Sequence, residues 1–541
     1  MSDMSRENGQ NGLKNAARPV VDFINALEKE VGIERAEERK RAGGGEEADI
    51  GEAGESMALL YEKVRNLIEY KDDHLIKRNA IERILRRNLI IEFRGHDFSD
   101  QFLTELAMAG YIHRQEINQQ LKEKVRKIIG KYQKLVKGTS GLDLKKFVVA
   151  MASCEVEEAV FPNPAKKALV RAMYQSVHDR IVFQGRDALS EGEKKIQIYL
   201  AVLKSLTKLD NTTLSYSLFK IYFPGWFEEN IKEGDVGSMI SELASKKDYL
   251  EEKVENPLSS RVTFALKKYA VYFNVFHVVV INNFSRIKKL LSDPESLKFA
   301  VQVACGGVYD KEMSKFKKRV RRSLIFLIIT KVLLAVLVEY PYDRYIAGQV
   351  NETPLIINLL FPPLLLMLLS ATVHRPGEEN SALIAKGVEE IVYRESERPI
   401  IVVKMDETKT FSEKILNLFF LLTFIISFGM VIWILNVLSF NLLGILIFLF
   451  LFSVVSFFSA LVRQPVRDLI ITKGREGTIG MVVDTLSIPF VRMGKWMSVK
   501  FSRVNVFVFI FDVIIEAPFK IVVRFIQEWA GFIRRKKEEM I

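Results

Sequence analysis

The longest runs of apolar residues lie between residues 323 and 462, where charged residues are rare. A helix needs roughly 20 apolar residues to cross the hydrocarbon core of a bilayer, and it satisfies its own backbone hydrogen bonds there. The pattern therefore predicts a transmembrane bundle over 323–462. The four predicted crossings are residues 323–341, 355–373, 415–438 and 442–462.

Before this region, apolar residues recur at the spacing of amphipathic helices, with few signals of strands. Helix starts are indicated at Asn163, at Ser190 with Glu193, and at Asp293, because such side chains cap free backbone amides. Residues 58–322 are therefore predicted to form a helical cytosolic domain, with two subdomains meeting near residues 183–190. The fold class predicted is all-α, namely this domain, a four-helix transmembrane bundle and C-terminal amphipathic interfacial helices.

The two ends of the chain differ from these regions. Residues 1–57 are acidic and glycine-rich, which is typical of a disordered tail, although a short helix is predicted near residues 19–31. Residues 463–541 mix apolar and charged positions, which favours cytosolic amphipathic helices at the membrane interface. Within them, residues 504–533 are interfacial, re-entrant or a dimerisation helix, and the pattern leaves these alternatives open.

Basic residues predict the orientation of the crossings, because Lys and Arg are enriched in loops on the cytosolic side. The loop 339–354 holds one basic residue, Arg344, and the turn 439–441 holds none, whereas the loop 374–414 holds seven. Both termini are therefore predicted to be cytosolic. The N-terminus lacks the apolar core of a signal peptide, so the first crossing is expected to direct insertion.

Positive charge is concentrated next to the predicted membrane boundaries. Residues 1–57 carry −5 of the total net charge of +12, so the rest of the chain carries +17. Clusters this close to a span favour anionic lipid headgroups as partners over nucleic acid, at about 1 kcal/mol per charge near the surface. The clusters are Lys315, Lys317, Lys318, Arg319, Arg321 and Arg322 before the first span, and Arg534, Arg535, Lys536 and Lys537 near the end.

No motif predicts catalysis, a cofactor or a metal site. The chain has no phosphate-binding GxxxxGK[ST] loop, no GxSxG elbow and no HExxH, and its six histidines are scattered. Cys154 and Cys305 belong to no CxxC or Cys/His cluster and are expected to be buried, reduced thiols. The strongest candidate for a pair of acids is Asp512 with Glu516, which a helix would place on one face.

The polar residues inside the apolar runs are the sharpest local signal. Lys331 lies near the middle of the first run, where a charge costs at least about 2.5–3.5 kcal/mol unless the protein provides a partner. In the second run, Pro362 and Pro363 cannot donate backbone hydrogen bonds, which predicts a break that frees carbonyl groups around Asn358.

Two interpretations of Lys331 follow. In the functional one, it is the centre of an ion or headgroup site inside the bundle. In the structural one, its charge is satisfied by the protein or reaches the nearer membrane surface. Glu339 is expected to mark the outer end of the first span, with Arg344 as a candidate partner.

Five short stretches add a resemblance to this picture. They are 61–65 (YEKVR), 78–85 (RNAIERIL), 330–343 (TK and EYPYD), 358–363 (NLLFPP) and 511–520 (FDVIIEAPFK). Together they resemble an uncharacterised group of multi-pass membrane proteins found in small-genome bacteria. The resemblance covers most of the chain after residue 57 and implies the bacterial cytoplasmic membrane. It brings no activity and no catalytic residue.

Three functions are compatible with the sequence. The first is a non-enzymatic, membrane-anchored scaffold or regulator whose cytosolic domain binds a protein partner, a second copy of the chain or anionic lipid. The second is a transporter or channel component that uses the region of Lys331, although no internal repeat supports it. The third is a lipid-acting membrane enzyme that uses Asp512 and Glu516.

Overall fold

The computed structural model describes residues 16–28, 73–92, 97–185, 189–207, 209–223, 226, 236–345, 352–393, 400–405, 411–472 and 478–503. Apart from one pair of short strands, the regular structure in these ranges is helical, so the all-α prediction is confirmed. The α-helices are α1 (18–28), α2 (Asp73–Arg86), α3 (Ser99–Met108), α4 (Gln119–Gly138), α5 (Leu142–Val160), α6 (Pro164–Val177), α7 (Glu191–Thr207), α8 (Asn211–Tyr222), α9 (Val236–Glu255), α10 (Pro257–Asn282), α11 (Ile287–Leu290), α12 (Pro294–Leu334), α13 (Tyr340–Tyr345), α14 (Glu352–Ala371), α15 (Glu378–Tyr393), α16 (Phe411–Val437), α17 (Leu442–Arg467) and α18 (Thr478–Arg503). The strands are β1 (Ile181–Gln184) and β2 (Ile401–Lys404), and π-helical segments run over Arg87–Ile91 and Ala335–Glu339.

The helix N-terminal caps predicted from the sequence are present in the structure. The Asn163 side chain accepts from the amide of Lys166, and the Ser190 hydroxyl and Glu193 carboxylate bind each other's backbone amides. Asp293 accepts from two amides at the start of α12. Each cap satisfies backbone donors that the first helical turn leaves free, which fixes where these helices begin.

The first of two large parts of the molecule is built around one continuous core. Buried side chains from α1 to the first part of α12 join those of α15 and β2 in a single cluster. We call this part the helical domain, and it comprises the described residues of 16–309 together with 378–393 and 400–405. Buried residues from both sides of 183–190, where the sequence predicted a boundary between subdomains, belong to this one core. Cys154 and Cys305 are buried free thiols within it.

Helix α1 belongs to this core and not to a disordered tail. Its apolar face of Val20, Phe23, Ile24 and Leu27 is buried, and the Ala17 amide donates to the carbonyl of Val392 at 2.8 Å. The helix itself was predicted, because its apolar residues share one face. Its docking was not, since the acidic composition of residues 1–57 masks a local apolar stripe. The other residues of that segment lie outside the described ranges.

The segment 374–414, predicted as a cytosolic loop, returns to the helical domain. Helix α15 packs against α10 and α12, and Ile384, Val388 and Ile391 are buried in the core. Strand β2 pairs in parallel with β1, with Ile181 opposite Ile401. The helical domain is therefore assembled from chain segments on both sides of α14.

The chain is a membrane protein by the length and apolarity of its helices. Four described helical stretches are long and apolar enough to cross a bilayer, at Pro257–Asn282, Thr353–Ala371, Leu418–Val437 and Leu442–Arg467. Three of them coincide with predicted crossings. In the fourth, Pro257–Asn282, half of the apolar window is buried, and its side chains belong to the core of the helical domain.

The first predicted crossing, 323–341, forms part of a longer helical rod. Helix α12 runs for 41 residues from the helical domain and continues through the π-helical segment into α13. Its cluster of surface basic residues ends at Arg322, Lys331 follows within the apolar stretch, and the π-helical segment interrupts that stretch after Leu334. Residues 323–341 are not among the four described stretches that meet the length and apolarity of a crossing, although the outward side chains Phe326 and Ile329 are 64% and 62% exposed.

Helices α12, α14, α16, α17 and α18 pack together in the second part of the molecule, which we call the bundle. Helices α12 and α14 form a hairpin that starts and finishes at the helical domain, and α17 follows α16 after a short turn, with α18 packed against both. The segment after α17 returns to the helical domain, where Leu469 and Ile471 pack against its core. Asn380, which is 2% exposed, donates to Tyr309 and Leu469 and accepts from the Ile471 amide, so it connects the helical domain to the segment after α17. Lys267 of α10 binds Asp468 at 2.9 Å.

Helix α18 lies lengthwise against α17, where the sequence predicted cytosolic interfacial helices over 463–541. The Phe490 ring packs between those of Phe428 and Phe452, at 4.5 and 4.2 Å between centroids. Any β-carbon at Gly494 would overlap the carbonyl oxygen of Ser453. Small residues at such contacts let membrane helices approach closely, so residues 478–494 are part of the bundle. Residues 504–541 lie outside the described ranges.

Candidate functional site

The polar residues predicted inside the first two crossings form one cluster. Lys331 Nζ binds Glu339 Oε1 at 2.5 Å, and the Asn358 amide donates to Glu339 Oε2 at 3.0 Å. The three residues, backbone included, are 2%, 5% and 2% exposed, in the same order. Both oxygens of the Glu339 carboxylate are therefore occupied by groups from the two helices of the first hairpin.

The π-helical segment explains why the ion pair forms. Lys331 and Glu339 are eight residues apart, a separation that on a regular α-helix turns them away from each other by about 80°. The wider helical turn over Ala335–Glu339 changes the angle between the two side chains around the helix axis. Glu339 consequently faces Lys331 and Asn358. The sequence suggested Arg344 as its partner, but the Arg344 side chain is exposed.

The cluster lies toward the end of the bundle that is remote from the helical domain. A gap of about 20 Å³ adjoins it, lined by Glu339 and Asn358 together with Phe440 and Asn441 of the α16–α17 turn. That volume holds about one water molecule, far below the roughly 300 Å³ at which ligand pockets begin. The long Lys331 side chain thus carries its charge toward the end of the hairpin.

The paired prolines do not break the second crossing. Pro362 and Pro363 lie inside the continuous helix α14, and the Pro362 side chain is buried. Membrane helices tolerate internal proline because neighbouring helices and local adjustments satisfy the freed carbonyls. Here α14 packs against both α12 and α17, and Phe361 contacts Phe448 at 4.6 Å between ring centroids. The predicted break is therefore wrong.

The arrangement of these three side chains does not favour acid–base or nucleophilic chemistry. A carboxylate held between an ammonium group and an amide has both oxygens committed, so it is a poor base or nucleophile. Among the described residues, the one unsatisfied polar atom of the three is Oδ1 of Asn358. A buried ion pair with an added hydrogen bond offsets the cost of bringing two charges into the bundle and fixes the register of α12 against α14.

The basic cluster before the first crossing lies on the surface of α12. Lys317, Lys318, Arg321 and Arg322 are exposed, Arg319 is partly buried, and Lys315 binds Glu312 at 3.0 Å. The cluster directly precedes the apolar part of the helix. The second basic cluster, Arg534–Lys537, and the pair Asp512 and Glu516 lie outside the described residues.

No protein-family model, curated protein or solved structure matches this chain.

Proposed function

We propose that this chain is a non-enzymatic, membrane-anchored scaffold or regulator that presents its helical domain at the cytosolic face of a bacterial cytoplasmic membrane. The supporting observation is that the first hairpin starts and finishes on the helical domain and that the segment after α17 returns to it, where Asn380 bonds to Tyr309, Leu469 and Ile471. The bundle then holds the domain in one orientation, as a scaffold requires. The closed Lys331–Glu339 pair favours a structural bundle over a transport path.

The proposed topology has four crossings, with both termini in the cytosol. Residues 323–341 and α14 form the first hairpin, and α16 and α17 the second. The basic surface of α12 supports this orientation, because Lys and Arg collect on the cytosolic side and bind anionic headgroups. The loop 374–414 lies on the same side as the helical domain, as its seven basic residues require.

Cysteine accessibility tests the topology. In a Cys154→Ala/Cys305→Ala background, Gly348→Cys should react with a membrane-impermeant maleimide in intact cells. Lys386→Cys, on the exposed face of α15, should react only after the cells are opened. Labelling of position 386 in intact cells would contradict the proposed orientation. Protection of position 348 would contradict the proposal that the first hairpin crosses the membrane.

The domain also offers a surface for a protein partner. Phe299 and Val303, one turn apart on α12, are 69% and 61% exposed. Phe299 lies 24 residues before Ser323, which at 1.5 Å per residue is about 36 Å from the membrane boundary. Lipid does not reach this position, so a protein partner or a second copy of the chain is the fitting occupant.

A photo-crosslinking amino acid tests this function in native membranes. Placed at Phe299 or Val303, it should give a discrete adduct, whereas the exposed control position Lys124 should give none. The adduct should disappear when Val303→Ser is combined with the probe at 299. Equal products at all three positions, or none, would contradict the scaffold proposal. Ion or solute flux through vesicles containing the purified protein, lost in Lys331→Leu, would support the transport alternative instead.

A further inference from the structure

A large cavity lies in the helical domain, far in sequence from the Lys331 cluster. Its volume is about 670 Å³, and it opens between α5, α6, α7 and α8. Apolar atoms form most of its wall, and the aromatic side chains Phe161, Tyr174, Tyr199 and Tyr216 contribute to it. Small-molecule sites have this volume and this mixture of apolar wall with a few polar groups.

The charged groups of the lining are mainly cationic. Five bases face two carboxylates there, and they are Lys166, Lys167, Arg171, Lys195 and Lys220 against Glu157 and Glu158. Glu158 is neutralised by Lys167 and Lys220 and accepts from Tyr216 at 3.0 Å. These contacts hold the pKa of Glu158 at about 2, despite the opposing effect of burial.

The second carboxylate opposes an anion only weakly. Burial, the largest effect, raises the pKa of Glu157 to about 7, so roughly half of these side chains are uncharged at neutral pH. Burial likewise raises the pKa of the Cys154 thiol to about 12, which leaves a neutral, apolar wall at that point of the cavity.

Three cations near the cavity have unused hydrogen-bonding capacity. Among the described residues, Arg171 and Lys195 form no hydrogen bond or ion pair. Behind Cys154, Arg78 is 5% exposed, and its Nε and Nη1 have no hydrogen-bond partner in the described part of the chain. Its Nη2 binds Asp210 at 2.8 Å and Asn79 at 3.3 Å, and its Nη1 lies 3.9 Å from the Glu82 carboxylate.

From this geometry we infer that the cavity binds a small phosphorylated molecule with an apolar or aromatic body. The body would lie among Phe161, Tyr174 and Tyr199, and the phosphate would meet the cationic rim that Arg171 and Lys195 contribute. Two sources supply this chemistry, a lipid fragment with an acyl chain and a free nucleotide whose base stacks on tyrosine. The inference does not depend on the scaffold function.

The inference is tested on the full-length protein in nanodiscs. The test ligands carry either both the phosphate and the apolar body or only one of the two. Octyl phosphate below its micellar concentration represents the lipid source, and AMP represents the nucleotide source. Inorganic phosphate carries the charge alone, and octyl glucoside carries the chain alone. Binding is measured by isothermal titration against empty nanodiscs, with thermal unfolding as an independent readout, because a ligand of the native state raises the unfolding temperature.

Octyl phosphate or AMP should bind at least ten-fold more tightly than either partial ligand, and the stronger of the two identifies the source. Arg171→Gln/Lys195→Gln should weaken that binding at least ten-fold while unfolding at the same temperature without ligand. Lys124→Gln, an exposed lysine of α4 away from the cavity, should bind as the unmodified protein does. Absence of binding at millimolar concentration, or equal binding by both variants, would overturn the inference.

Discussion

The helical domain and the bundle each contain a buried lysine–glutamate pair, and the two pairs are surrounded differently. In the domain, Lys131 binds Glu155 at 2.6 Å, with side chains 10% and 13% exposed. Tyr132 donates to the same carboxylate at 2.8 Å, and the Trp226 carbonyl lies 3.4 Å from Lys131 Nζ. In the bundle, Lys331 and Glu339 are 1% and 6% exposed, with Asn358 as the third member.

The difference shows what each environment demands of a charge. Burial lowers the pKa of Lys131, but neighbouring polar groups and nearby water provide alternatives if its partner is lost. Around Lys331 the described surface is apolar, with Ile328 and Val332 exposed. A charge left unpaired there has to find a distant surface or lose its proton. The bundle pair should therefore be far less tolerant of a missing partner.

The largest effect is expected from Glu339→Leu. It leaves the Lys331 ammonium buried without its counter-charge, and breaking a buried pair in this way costs about 3–5 kcal/mol. We expect loss of most folded protein, or an equivalent drop in the free energy of unfolding measured in bilayers. A change below 1 kcal/mol would mean that Lys331 has another partner.

Glu155→Leu makes the same change in the helical domain and should cost less, about 2–3 kcal/mol. Lys131 keeps the Trp226 carbonyl within reach and lies closer to solvent. Denaturant unfolding followed by tryptophan fluorescence measures it. If Glu155→Leu proves the more damaging of the two, the contrast between the environments is wrong.

Glycine contacts extend the comparison from charge to packing. Gly494→Ala would drive a methyl group into the carbonyl of Ser453 on α17, at a cost of about 1–3 kcal/mol. Gly429→Ala, on α16 of the same bundle, meets nothing within 4 Å and should be neutral or slightly stabilising. Thermal unfolding of both variants in one detergent checks this. Equal stability of the two variants would contradict the packing of α18 against α17.

The last effect concerns pH and belongs to the helical domain alone. The pKa of Glu157 is raised in the folded state, to about 7, so the folded state binds this proton more tightly than the unfolded chain. The stabilisation is complete below pH about 4.5 and is lost as the pH rises through about 7. Glu157→Gln should therefore flatten the decline of stability between pH 5 and 8. An unchanged slope would contradict the assignment.

Much of the fold could be predicted from the local sequence pattern. The features that were not predicted all depend on contacts between residues that are far apart in the sequence. Asn163 and Asp293 marked helix starts because capping depends on adjacent residues. The docking of α15 was missed, although Ile384, Val388 and Ile391 show helical spacing in the sequence. Strands β1 and β2 pair across more than 200 residues, and four-residue strands carry too little pattern to be recognised.

The residues of the candidate site were predicted from the sequence, but the contacts between them were not. Lys331, Glu339 and Asn358 were each singled out, because polar side chains in apolar runs are costly and need partners. Their pairing depends on a π-helical segment, which leaves no signal in the spacing of side chains. The cavity of the helical domain was missed because its lining comes from four helices between residues 154 and 221.

A double-mutant cycle on Lys331 and Glu339 tests most directly whether the cluster is a structural pair. Lys331→Leu, Glu339→Leu and the double variant are compared with the unmodified protein by unfolding free energy in bilayers. We predict that the double variant recovers most of the stability lost in Glu339→Leu, to within about 1.5 kcal/mol of the unmodified protein, because two leucines suit an apolar bundle. A double variant as unstable as the sum of the singles would contradict the account.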